Sequence, residues 1–412
     1  MKRSILSFLT LSTIGLTLSA DEPAFNERLN QDEVRILRDW VNTKRQITVK
    51  ERGGNLSISG EVVTEFQSKK ETRDGVRQLG PSGVHKTKAE EQFDINFKLM
   101  MDYRTERAWI ASRLSFDNNM GTTSGTLSNI ALERAYVGGR LVEGDTYTLD
   151  IEMGRRPLGN LFDSRIQFGS LMDGLVLKYT QGLDYLGDAY LYAGPFIVNE
   201  VNNHYGYVGE IGLLNIGGTG MYLKYSLIDW YTKQYGDYFQ TRRFEFVNNQ
   251  VTAGYTFVIP YLSQPMTLFA AGLINGAAEK LTVTKNQYER LAYYTGFSIG
   301  QLRKKGDWSL TGDWQWVEAQ AVPEVDRAGI GTNNAEGAGF HTSLANGTGG
   351  GNTNPILARG QKNYKGFEFV FLYLISSNVT LFQSYQQSWT LNKELGPYVK
   401  YRAYELEVVY AF

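Results

Sequence analysis

Few segments of this 412-residue chain combine residue types and spacings that could do chemistry. The stretch Gly296-Phe-Ser-Ile-Gly300 matches the G-x-S-x-G pattern of a hydrolase nucleophile, in which a serine stands on a sharp strand-to-helix turn. It sits inside an apolar, aromatic segment with the pattern of a strand and no helix pattern after it, so it reads as small residues packed in a strand. The three histidines, His85, His204 and His341, stand far apart in connecting segments, and none has a second histidine at ligand spacing. Cysteine is absent, which excludes disulfides and thiolate metal sites. Neither a metal nor a cofactor is expected.

The densest chemistry is ionic. The segment RRPLGNLFDSRIQFGSLMD carries Arg155, Arg156, Asp163, Arg165 and Asp173 among leucines, isoleucine and phenylalanines. Its apolar residues could pack it against a wall while its charges face a polar solute. Equally, the arginines could clamp carboxylates and hold the segment in place, since bidentate Arg–carboxylate pairs are common.

Such a segment needs a frame, and composition points to strands. Glycine numbers 44, the aromatics 26 Tyr, 21 Phe and 7 Trp, and proline only 9. Apolar residues then recur at every second position. FDINFKLMMDY places Phe93, Ile95, Phe97, Leu99, Met101 and Tyr103 on one face, opposite Asp94, Asn96, Lys98 and Asp102. YTLDIEM sets Tyr147, Leu149, Ile151 and Met153 against Thr148, Asp150 and Glu152, and WSLTGDWQW opposes its tryptophans to Asp313. A soluble β-sandwich also alternates. Aromatics gathered near strand ends and charges in mid-strand favour a barrel in lipid with a wet interior.

Divided this way, the chain yields sixteen strands. They fall near 55–67, 92–104, 106–118, 129–141, 145–156, 172–181, 188–199, 204–215, 219–232, 242–258, 265–278, 288–303, 307–321, 363–376, 378–391 and 399–412. Connections after even-numbered strands are mostly short and those after odd-numbered strands longer, the asymmetry of an outer-membrane barrel. The fold class is therefore all-β, a transmembrane antiparallel barrel over 55–412. Sixteen strands leave an aqueous passage where eight would be filled by side chains.

The first residues read as an address. Lys2 and Arg3 precede an apolar stretch, Ile5–Leu18, and the small pair Ser19-Ala20, a signal peptide over 1–20. Its removal takes two of 42 basic residues and leaves 43 acidic ones, about −3 overall. That balance excludes a basic nucleic-acid binder. Residues 21–54 form an extension in which Phe25, Leu29, Ile36, Leu37, Trp40 and Val41 share a helical face, and Asn30 with Glu33 suggests a capping box. A periplasmic helix near 31–44 is expected, packed as a tether on the barrel rim. The 321–362 connection, containing TSLANGTGGGNTN, is a Gly/Asn-rich external loop.

The final stretch, YELEVVYAF, resembles the C-terminal assembly-signal strand of Gram-negative outer-membrane proteins, with Tyr404, Leu406, Val408, Tyr410 and Phe412 at alternate positions. The chain after its extension resembles the sixteen-stranded general porins. That resemblance implies a homotrimer in outer-membrane lipid and lipopolysaccharide, folded by the barrel-assembly machinery. It also implies a third long loop folded inward to constrict the pore, here Arg155 to Asp173. Facing it, Asp94, Lys98, Asp102, Asp150, Glu152, Asp313, Glu405 and Glu407 would line the pore. Mixed charge across a constriction orients polar solutes.

The function expected is passive diffusion of ions and small hydrophilic solutes, not enzymatic turnover. A channel selective for sugars or small anions comes second and calls for a line of aromatics along the lumen, for which Tyr222 and Tyr294 are scattered candidates. A barrel adhesin or outer-membrane hydrolase is a distant third.

Overall fold

The structure is a computed structural model describing residues 47–51, 54–120, 129–200, 203–231, 245–281, 286–323, 326, 328–331, 362–395 and 397–412. The signal peptide, the helix expected near 31–44, His341 and the Gly/Asn-rich part of the 321–362 loop lie outside them.

Sixteen antiparallel strands close a barrel. They are β1 (Gly54–Arg73), β2 (Glu91–Arg104), β3 (Ala108–Asn119), β4 (Asn129–Glu143), β5 (Tyr147–Pro157), β6 (Leu171–Leu183), β7 (Gly187–Asn199) and β8 (His204–Ile216). The remainder are β9 (Met221–Asp229), β10 (Val247–Ile259), β11 (Gln264–Asn275), β12 (Leu291–Gly300), β13 (Trp308–Val317), β14 (Tyr364–Ser376), β15 (Val379–Thr390) and β16 (Val399–Ala411). Every strand pairs with its neighbour in sequence, and β16 closes on β1 from Glu61↔Ala411 to Arg73↔Val399. All sixteen strands read from the alternation are present.

Closure leaves the lower edge of β1 beyond the reach of β16. A short strand, Ile47–Glu51, folds back on Gly54–Ile58 and takes that edge. The backbone groups of β1 are thereby paired along its length. This replaces part of the 21–54 extension with sheet.

Short turns at 105–107, 144–146, 184–186, 217–220, 260–263, 301–307 and 377–378 mark one end of the barrel. Most connections at the other end are longer. Outside, the alternation produces an apolar belt, with Phe93, Ile95, Phe97, Leu191, Ile211, Leu223, Val251 and Phe369 exposed. Inside, Glu61, Arg113, Glu152, Glu210, Lys224, Gln250, Asp313 and Glu407 are buried. No helix among the described residues is long and apolar enough to cross a membrane, so any crossing is made by strands. Ser298, the serine of Gly296–Gly300, lies in β12 with its hydroxyl bonded to that of Thr311 at 3.1 Å.

Candidate functional site

The connection between β5 and β6 turns into the barrel instead of away from it. A single 3-10 turn, Leu158–Asn160, starts the inward path. Leu158, Leu161, Phe162 and Phe168 pack with Met172 and Val176 of β6, Phe196 of β7, Val208 of β8 and Ile228 of β9. Ile166 packs further round, with Phe269, Tyr294, Val317 and Tyr364 of β11 to β14. The apolar residues thus glue the segment to one side of the lumen, as hydrophobic burial dictates.

Polar contacts fix its position. The Asp163 carboxylate pairs with Lys224 of β9, and its amide donates to Glu210 of β8 at 3.0 Å. Gln250 of β10 donates to the Asp163 carbonyl at 2.7 Å and accepts from the Ser164 hydroxyl at 2.8 Å. Arg165 lies over the Phe269 ring, 5.2 Å from its centroid, within the fields of Asp313 and Glu368.

A second inward segment, from the β13–β14 connection, holds the first. Asp326 accepts from the amides of Phe168 and Gly169, both at 2.6 Å. Phe168 is buried with φ 72°, a left-handed conformation that costs a bulky residue about 1–3 kcal/mol unless its surroundings enforce it. The bonds from its own amide and that of Gly169 to the Asp326 side chain hold it there. Burial pushes the Asp326 carboxyl above the ordinary aspartate range, against the opposing Lys362 charge and the two amides.

The opposite wall, β16 and β1 to β5, is charged. Glu61, fully buried, bonds Lys98 at 2.9 Å and Arg113 at 3.2 Å, and Arg113 continues to Glu133 at 3.1 Å. Glu152 gathers Arg156, Lys178 at 3.3 Å and the Trp109 indole at 3.0 Å. Asp150 pairs with Arg140 at 3.0 Å. Glu65, Glu405 and Glu407 bring carboxylate oxygens within 4.8 Å of one another, the one group among the described residues that could surround a cation. Asp94 stands near Lys69, and Asp102 is opposite Ala111 on the inward face of β2.

Two residues assigned to the constriction are elsewhere. Arg155 and Asp173 form a direct cross-strand pair between β5 and β6 with bonds of 2.7 Å, each side chain 40% exposed. Their register continues the outward positions Met153 and Leu175, while Glu152 and Arg156 take the inward ones. The pair therefore faces outward through the apolar belt, because adjacent arginines in a strand must point to opposite faces. Arg156, Asp163 and Arg165 lie on the inner side of the wall, each engaged with a partner. Asp313 lies beneath the inward segment beside Arg165, not across an open passage from it. Glu61, Arg113, Glu210, Lys224, Gln250 and Asp326 were not singled out in the sequence; each lies on a strand or loop far from the segment it binds.

Comparison with protein-family models finds no match, and no curated protein matches the chain in sequence. Solved structures do match in fold. OprB from Pseudomonas putida superposes with a TM-score of 0.51 at 10% identity, covering 87% of this chain and 94% of its own. The outer membrane channel DcaP of Acinetobacter baumannii gives 0.47 at 11% identity over 88% and 99% of the two chains. OmpF of Salmonella typhi gives 0.48 at 11% identity over 89% and 100%. The match with OprB concerns the barrel as a fold.

Proposed function

We propose that the protein is an outer-membrane channel for passive diffusion of ions and small hydrophilic solutes, narrowed by the inward segment 158–170. One observation carries the reading. A segment from one connection is pinned across the interior of a sixteen-stranded barrel whose outside is apolar and whose facing wall is charged. A barrel of this strand number has an aqueous lumen unless something fills it, and a pinned segment restricts that lumen without closing it by collapse.

A sugar-selective channel needs free ring faces along the passage. The inward rings Tyr136, Tyr192 and Tyr222 instead carry Arg156, Lys178 and Lys224 over their faces, at 4.5, 5.4 and 4.7 Å. Ionic sorting of small polar solutes fits this wall better than sugar stacking. A hydrolase reading finds its serine engaged inside a strand. With the channel reading go export by the 1–20 signal, a homotrimer, and assembly through the strand ending in Tyr404, Leu406, Val408, Tyr410 and Phe412.

Single-channel recording of the detergent-purified barrel in a planar bilayer tests this. Repeated conductance steps of uniform size with weak ion preference are expected. A silent membrane containing inserted, heat-modifiable barrel would overturn it.

A further inference from the structure

The rim formed by the short turns is unevenly charged, and the chain enters the barrel there. The strand Ile47–Glu51 lies on the β16 side of β1, at the end where β1 meets β2 beside the 105–107 turn. Residues 21–46 therefore approach the barrel at this rim.

Two turns of the rim expose an adjacent tyrosine and leucine. In the 260–263 turn Tyr261 is 99% and Leu262 52% exposed, and in the 184–186 turn Tyr185 is 96% and Leu186 55% exposed. By strand count the two tips stand at similar distances from Ile47, in opposite directions around the rim.

Charge separates the two routes. Through β16 the way passes the neutral Ser377-Asn378 turn and then the 301–307 turn, where Arg303, Lys304 and Lys305 are exposed. Asp307 is the acid of that turn, accepting from the amides of Arg303 and Lys304 at 2.8 and 2.7 Å. Three cations and one acid leave the turn at +2. Through β1 the way passes Glu106 beside Arg107, then Asp145, and ends at Asp184 next to Tyr185, with no cation in the last two turns.

The entering segment suits the first route. Asp21, Glu22, Glu27, Asp32 and Glu33 come before residue 34, with Arg28 the one cation among them. The sequence pattern over 31–44 is that of a helix, about 21 Å long at about 1.5 Å per residue. With two joining residues, Glu33 falls about 24 Å from Ile47. The 301–307 turn lies three to four strand spacings from Ile47. That is roughly 20–25 Å around the rim for tilted strands about 4.8 Å apart. Residues 25–30 carry Phe25 up to about 20 Å further, far enough to meet Tyr261 and Leu262.

We propose that the acidic half of residues 21–46 docks on the rim at the Arg303–Lys305 turn, with Phe25 and Leu29 covering the Tyr261–Leu262 tip beyond it. A single surface ion pair contributes little, so the seating combines several charges with burial of rings and leucines. The proposal goes beyond the channel reading and does not depend on it.

The chain has no cysteine, so an introduced pair reports contact without background. Full-length Q31C/Q301C is compared with Q31C/T146C in detergent after mild oxidation, counting linked peptides only in the folded, heat-modifiable fraction. The first pair should link at least tenfold more than the second. Adding K304E/K305E to it should cut linkage at least fivefold, and further adding E27K/D32K/E33K should restore it. Equal linkage in the two pairs, or linkage indifferent to K304E/K305E, overturns the proposal. Links between chains instead of within one would give the turn to another copy's segment and overturn seating on the chain's own rim. Linkage kept in phosphatidylcholine vesicles but lost in phosphatidylglycerol vesicles would give the turn to lipid headgroups and overturn it as well.

Discussion

The ring of Phe412 stacks on that of Phe97 across the outside of the barrel closure, with centroids 6.1 Å apart and planes 18° from parallel. Between them runs Gly60, whose amide and carbonyl bond the Phe412 carbonyl and amide at 3.1 and 3.0 Å. A Cβ at Gly60 would stand 2.5 Å from the Phe412 ring. The terminal phenylalanine thus ties β16 to β1 and β2 at the last point of closure.

Replacing Phe412 with alanine removes that stack, worth about 1 kcal/mol beyond area burial. The assembled, heat-modifiable fraction should fall several-fold in membranes at matched synthesis. Gly60→Ala should lower it too, by pushing the ring aside. Unchanged assembly in both variants would assign closure to the strand pairing alone.

The Asp163–Lys224 pair predicts how firmly the inward segment is seated. Lys224 is 2% exposed, and Asp163→Asn leaves the Glu210 carboxylate as its charged neighbour, so the loss falls below the about 3–5 kcal/mol typical of a buried charge left with none. Single-channel current through the variant should become noisier and its mean larger as the segment detaches. The double variant D163N/K224M removes both charges and should recover much of the quiet current.

Glu61 pairs with Lys98 and shares Arg113 with Glu133. Glu61→Gln leaves more positive charge on the wall, and a ring of fixed charge sets which ion passes. The reversal potential in a potassium chloride gradient should move toward anions, with the cation-to-anion permeability ratio dropping by about twofold or more. A null shift would place the passage away from this wall.

Asp326 gives the pH dependence. Burial raises its carboxyl in the docked arrangement, so the proton is held more tightly there than on a solvated aspartate. The raised value makes protonation favour docking: that contribution is whole below about pH 3.9 and is lost as pH rises through the raised value. The inward segment should be quieter near pH 4 than at pH 7. Asp326→Asn, which fixes the neutral form, should remove the difference between the two.

The alternation of β2, β5, β13 and β14 was legible because one face is apolar and the other carries charge, and no long-range information is required to see it. The inward segment stood out for its mixture of charge and apolar bulk. Its partners did not, because Glu210, Lys224 and Asp326 reach it from 47, 61 and 158 residues away and nothing local marks them. Arg155 was placed in the pore because the porin resemblance set the constricting loop at 155–173, whereas the alternation from Tyr147 to Met153, carried one step further, puts it outside.

The Asp326 contact also has a meaning in time. It joins positions 157 and 158 residues apart, and contacts so distant in sequence form late because a long loop must close first. Segment 158–170 emerges well before Asp326 and cannot take its final seat until β13 is in place. Its seating therefore waits on the second half of the barrel, and the inward segment is among the later parts of the interior to settle.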